Sequence, residues 1–172
     1  MSLIHKFLAA IDRIMPFEEA FAHCDVPCGI YDTHRAQMAC HTVIRMVQLM
    51  HDLPKHTEKT SAHEMEDYTH KMARYVHTKE EHAEVVKHEI RILWGDYFKP
   101  EHLKDHPELH DLVWKVMKLG GKVKQEIDID SSKQLLETVQ KIAEIFYRTK
   151  GIEYTRVKAP YPTGGELVLP KH

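Results

Sequence analysis

Small disulfide-stapled secreted domains carry many cysteines, usually an even number. This chain of 172 residues has three: Cys24, Cys28 and Cys40. Such sparse use points to reduced thiols, either reactive or metal-bound. Glycine is scarce, and away from the two ends so is proline. Set against plentiful Ala, Leu, Met, Lys and Glu, that scarcity favours helix. Neither sign of charge prevails, since the formal net charge is −2. No run of basic residues marks a groove for a phosphate backbone, so nucleic acid is not an expected partner. No apolar stretch is long enough to span a bilayer, so no membrane partner is expected either. The zinc-protease signature HExxH does not occur, nor does the Glu-x-x-His pair that a di-iron carboxylate bundle needs on two helices.

What is present is amphipathic periodicity. Ala36, Ala39, Val43, Val47 and Met50 share one face of a helix predicted over 34–52, which Pro54 ends. The longest pattern runs over 57–96, with Met65, Tyr68, Met72, Val76, Ala83, Val86, Ile90 and Leu93 forming one apolar stripe. The stretch "FKPEHLKDHPELH" reads as a break. Pro107 suits the first turn of a third helix with Leu109, Leu112, Val113 and Val116 on its core face, and Gly120-Gly121 closes that helix or begins to. Ser131 or Asp130 can cap a fourth, carrying Leu135, Val139, Ile142 and Phe146 inward until Gly151 stops it. The expected fold is all-α, an antiparallel four-helix bundle over 34–150. No strand alternation competes, and 151–172 reads as an irregular C-terminal extension.

Histidine is abundant, at 15. His56, His63, His70 and His77 recur every seven residues, but a heptad step separates neighbours by roughly 10 Å along a helix, too far to share a metal ion. They read as a solvated face. His106 and His110 stand four apart at a helix start without a matching acidic or thiol partner. They read as a helix-terminal cap and a hydrogen-bonded, partly buried residue.

Residues 1–22 differ from the rest. Ala20-Phe21-Ala22 has the small-x-small form of a cleavage site, while Asp12, Arg13, Pro16, Glu18 and Glu19 break the apolar run a secretory signal needs. A pro-segment removed by a dedicated maturation protease is the expectation, and a retained N-terminal helix is the competing reading. Directly behind it stands "HCDVPCGIYD", residues 23–32. Cys-x3-Cys alone fits half a zinc site, a local disulfide or two unrelated thiols. If the chain begins at His23, a free α-amine lies beside the Cys24 amide nitrogen. Amine, amide and the Cys24 thiolate then form fused chelate rings, and the Cys28 thiolate can close a square of two nitrogens and two sulfurs. That set suits nickel(II) or copper(II).

This stretch closely resembles the N-terminal hook of nickel-containing superoxide dismutases, and "ILWGDYFKPEHLKDHPELHDLV", positions 92–113, continues the resemblance. It covers roughly 23–150. The resemblance implies a helical bundle assembled as a homohexamer, with one nickel ion per subunit cycling between Ni(III) and Ni(II). The implied reaction turns two superoxide ions and two protons into oxygen and hydrogen peroxide. By matched position, the metal donors are His23 (amine and imidazole), Cys24 (amide and thiolate) and Cys28, in a hook over 23–33. Tyr31 stands where the family keeps a tyrosine beside the vacant axial side. Tyr97 matches a second tyrosine that supports the first, Asp25 shapes the hook, and Lys99 suits attraction of the anionic substrate. Some members hold the axial imidazole with a glutamate and an arginine. Ala39 and His82 align there, so the partner differs, with His82 or water as the candidates.

Two other classes compete with the dismutase: a non-catalytic nickel-binding bundle using the same hook, and a thiol redox protein exchanging a Cys24–Cys28 disulfide. Reduced thiols and the poor export signal favour the cytoplasm, while Ala20-Phe21-Ala22 leaves export open.

Overall fold

Helix α1, His34–His51, buries Ala36, Ala39, Cys40, Val43, Ile44, Val47 and Met50, the three-and-four spacing of one helical face. The computed structural model describes residues 29–55, 57 and 60–171. The expected pro-segment and residues 23–28 of the hook, including His23, Cys24, Asp25 and Cys28, lie outside them. Helix α2, Ala62–Ile92, begins at a capping box. The Ser61 amide donates to Glu64 Oε2 at 2.8 Å and the Glu64 amide to Ser61 Oγ at 3.3 Å, satisfying two otherwise orphaned donors. Its last turn widens into a π-helical turn, Leu93–Tyr97, closed by Phe98 N–H donating to the Leu93 carbonyl at 2.9 Å.

The predicted break over 98–110 contains a short helix α3, Pro100–Asp105, with Pro100 in its first turn, where its missing N–H costs nothing. Helix α4 is Leu109–Gln125, so Pro107 lies before it, not in its first turn. Gly120 and Gly121 do not close this helix. A Cβ on Gly120 would lie 2.8 Å from Lys87 Cγ, so the glycine permits a close approach of α4 to α2. Helix α5, Ile129–Thr149, is capped by Asp128, two or three residues before the expected cap. Its carboxylate accepts from the amides of Asp130 and Ser131 at 2.9 and 3.1 Å. The Ser131 hydroxyl and Lys122 also bind it, holding this carboxyl well below the usual range. Gly151, at φ +66°, ends α5.

Helices α1, α2, α4 and α5 pack in the neighbour order α1–α2–α4–α5–α1, the expected four-helix bundle. The expected α2 stripe is only half realised. Ala83, Val86, Ile90 and Leu93 are buried, but none of Ala62–Thr78 is, and Met65 is 42% exposed. Helix α4 ends opposite Lys79, so the N-terminal half of α2 lacks it as a neighbour.

Lys79 itself is 2% exposed, and among the described residues no carboxylate forms an ion pair with its ammonium. Its Nζ donates to the carbonyls of Val123, Lys124 and Glu126 at 2.6, 3.1 and 2.8 Å. Three protons meet three acceptors at the negative end of α4. Burial lowers its pKa, and nearby Glu80 counters part of that.

The C-terminal tail is not irregular. Strands β1, Tyr154–Lys158, and β2, Glu166–Pro170, form an antiparallel hairpin with Arg156 opposite Val168. Leu167 and Val168 are buried against the bundle, and β2 packs on α1 and α5. Helix side chains supply the polar docking. Gln37 pairs with both backbone groups of Val168, and Gln140 Nε2 donates to the Glu166 carbonyl at 2.6 Å. His41 joins the Thr163 hydroxyl at 2.7 Å, and burial lowers its pKa. These partners stand far away in sequence, so local alternation could not announce the strands.

Lys79→Met keeps most of the apolar stem and removes the charged, donating end, leaving the α4 carbonyls without their donor. It should cost about 1–3 kcal/mol, read as a lower urea midpoint at unchanged slope. An unchanged midpoint would show that those carbonyls find other partners.

Candidate metal centre

Five described residues, 29–33, form the part of the predicted hook that leads into α1. Gly29 has φ +82°, a region favouring glycine, and no heavy atom of the described residues lies within 4 Å of where its Cβ would stand. Ile30 is 76% exposed, whereas Tyr31 packs half-buried against the core. The Asp32 carboxylate accepts from the His34 amide at 2.6 Å. Thr33, fully buried, is the N-cap residue of α1.

Tyr31 meets Tyr97, delivered by the π-helical turn at the other end of the molecule's longest helix. Their ring centroids are 5.6 Å apart at 55°. Tyr97 is fixed on several sides. Phe146 lies at 4.8 Å, Phe98 edge-on at 5.1 Å, and His102 stacked at 5.6 Å. The Thr149 hydroxyl donates to the Phe146 carbonyl at 2.9 Å, so at 2.9 Å from Tyr97 Oη it accepts the phenolic proton. Lys150 Nζ sits over Phe146 at 4.7 Å and over Tyr97 at 5.7 Å. Lys99 is exposed at the N-cap of α3, and its amide donates to His102 Nδ1 at 3.2 Å, which leaves the His102 proton on Nε2. The two tyrosines predicted from sequence are thus brought together. His102, Phe146, Thr149 and Lys150 join them; of these four the linear reading names only Phe146, as a core residue of the last helix.

The model of the family described as nickel-containing superoxide dismutase matches residues 18–150. Superoxide dismutase [Ni] of Streptomyces seoulensis is 36% identical over 135 residues, covering 78% of this chain and 93% of that protein. The enzyme of the same name from Streptomyces coelicolor is 36% identical over 129 residues, 75% of this chain and 88% of that protein. A native nickel superoxide dismutase structure superposes with a TM-score of 0.62 at 34% identity, covering 74% of this chain and 99% of its own. The chain belongs to the nickel-containing superoxide dismutase family. Its reaction is the dismutation of superoxide, and its cofactor is nickel.

Within this nickel dismutase, the pair aligned with the family's imidazole partners takes a changed form. Ala39, 3% exposed in the α1 core, offers no polar side-chain atom. His82 is half-buried and donates from Nδ1 to the Thr78 carbonyl of its own helix at 2.9 Å, leaving Nε2 as an acceptor. Among the described residues, no group of three or more His, Cys, Asp and Glu side chains is placed to hold a metal. His63, His70 and His77 are exposed, as a solvated face requires; His56 lies outside the described residues. His106 closes α3 and lies 3.6 Å from Glu108 Oε1. His110 is hydrogen-bonded as expected, accepting from the Trp94 indole at 3.0 Å, but it is exposed, not partly buried. Cys40 is fully buried in α1, and burial raises its thiol pKa far above the usual range. No helix among the described residues is long and apolar enough to cross a membrane.

Tyr97→Phe keeps every ring contact and removes the bond to Thr149. It should lower stability by about 0.5–1.5 kcal/mol, seen as a modest drop in melting temperature. A variant as stable as the parent would show that this hydroxyl does not hold the ring.

Proposed function

We propose that this chain dismutates superoxide at a hook formed by residues 23–33, with the metal donors in 23–28, after removal of residues 1–22. The observation that supports this reading most directly is the Tyr31–Tyr97 pair, built at the root of that segment and braced from α3 and α5. The donor chemistry fits nickel. The His23 amine and imidazole, the Cys24 amide and thiolate and the Cys28 thiolate would hold it, a set of nitrogens and soft anionic sulfurs. The third thiol, Cys40, is sealed in the core and disfavoured as a thiolate, so it does not compete. Bound nickel supplies the one-electron cycling that lets one superoxide be oxidised and the next reduced.

The chain's own groups set the approach. The Tyr31 phenol, beside the hook, can donate a hydrogen bond to an incoming anion or a water and excludes larger molecules by its bulk. Tyr97 acts behind it, since its hydroxyl is committed to Thr149. Lys99 lends positive potential that draws a small anion. Asp25 belongs to the hook's backbone turn, and His82 Nε2 or water is the candidate partner of the His23 imidazole.

Cleavage follows from covalent chemistry. Before it, the His23 nitrogen is a peptide amide whose lone pair is delocalised into the Ala22 carbonyl, so it cannot serve as an amine donor. The reading also carries a homohexamer, for which exposed Ile30, Trp94 and Trp114 offer apolar surface, a maturation protease, and the cytoplasm as compartment.

Chains starting at Met1 and at His23, each reconstituted with nickel under reducing conditions, should differ: only the second should dismutate superoxide. An uncut chain, intact by mass spectrometry and equally fast, would overturn the cleavage requirement. In the His23-start form, Cys24→Ser and Cys28→Ser should lose nickel, because a neutral hydroxyl is a poor donor, while Cys40→Ala keeps both nickel and activity. Loss of nickel from the Cys40 variant alone would show that the donors are misassigned. Nickel held without activity would favour a binding bundle, and activity without metal a thiol protein.

A further inference from the structure

Gln37 is fully buried, which is uncommon for a glutamine, and its whole amide is used. Oε1 accepts from Val168 N–H at 2.7 Å, and Nε2 donates to the Val168 carbonyl at 2.9 Å. The side chain thus pairs with β2 as a neighbouring strand would. Nε2 also reaches Thr33 Oγ1, 3.4 Å away. Thr33 is the buried N-cap residue of α1, and the first backbone bond of the helix runs from Gln37 N–H to its carbonyl at 3.2 Å. The Tyr147 phenol is buried near the same threonine. Among the described residues it has no partner of good hydrogen-bond geometry, although the Thr33 hydroxyl is near enough to ease its ionisation against the effect of burial. The end of the chain is therefore joined, through one amide, to the residue from which the N-terminal segment departs.

The hairpin stands outside the family match, which ends at residue 150, so this connection is an addition to the shared bundle. We propose that Gln37 is a positioning residue for nickel binding: by clamping Val168 to Thr33 it makes the C-terminal hairpin a strap that fixes the root of the hook. The proposal rests on the reading that residues 23–28 hold the metal. Only residues 29–32 separate Cys28 from Thr33. With its root fixed, so short a tether samples few positions. A root free to fray would enlarge that set, and closing the hook around a metal would cost more conformational entropy.

The test uses the full His23-start chain and two readouts. One is amide hydrogen exchange at residues 33–37 in the metal-free protein; the other is the rate of nickel release to a chelator in the loaded protein. Gln37→Met preserves length and apolar packing but makes none of the three bonds. Gln37→Glu still accepts from Val168 N–H but cannot donate to Thr33, and it serves if the methionine variant does not fold. Gln140→Met is the control, because it loses a hairpin bond to Glu166 without touching Thr33. Both Gln37 variants should exchange faster at 33–37 and release nickel about tenfold faster, in line with the 10–100-fold effects of groups that orient metal ligands. The control should lose global stability with both readouts unchanged. Parental exchange and release in the Gln37 variants, or equal effects in the control, would overturn the proposal. A Cys24→Ser chain that holds nickel normally would instead overturn the hook assignment, while the exchange readout would still report on the strap.

Discussion

The register of the bundle depends on one ammonium group. Lys79 meets the last carbonyls of α4 with all three of its protons, and no carboxylate stands in for them. A charge buried in this way cannot slide by a turn without losing every partner at once, so it locks α2 and α4 lengthwise. Apolar packing by core residues such as Val86, Ile90, Val116 and Val123 tolerates small slips far better. With α2 fixed at Lys79, its C-terminal end, and the π-helical turn that carries Tyr97, falls at a set distance along the bundle.

At that far end the design is of another kind. Tyr97 is held by rings, one hydroxyl bond and a cation above its face, and no carboxylate takes part in the contacts that hold it. Tyr31 leans on this platform without belonging to a helix. In the proposed reading Tyr31 must keep its place while anions come and go, and a rigid aromatic support behind it would achieve that without adding negative charge that would repel them.

Much of this could be read in the sequence, for identifiable reasons. Helices announce themselves through spacing within a few residues, so Val43, Ile90, Val116 and Ile142 were recognisable as core. The proposed hook is a local pattern too: His23, Cys24 and Cys28 span six positions, and they lie outside the described residues. Tyr31 and Tyr97 needed the family resemblance, since a lone tyrosine in a linear reading is ordinary. What stayed hidden was non-local. Lys79 reads as one more surface lysine until its acceptors, 44 to 47 residues on, are known. Gln37 finds Val168 across 131 residues, so neither the buried glutamine nor the strand it holds leaves a local trace. Ser131 has the residue type of a cap, but the nearby Asp128 carboxylate, supported by Lys122, takes that place at the start of α5.

The overhang of α2 divides one continuous helix into two thermodynamic regimes. From Lys79 onward its backbone bonds open only when the bundle does, whereas Ala62–Thr78, with no buried residue, can fray at much lower cost from its capped end. Cooperative unfolding therefore stops being a property of the helix as an object. The boundary lies at a single side chain, and a probe placed on either side of it would report a different protein.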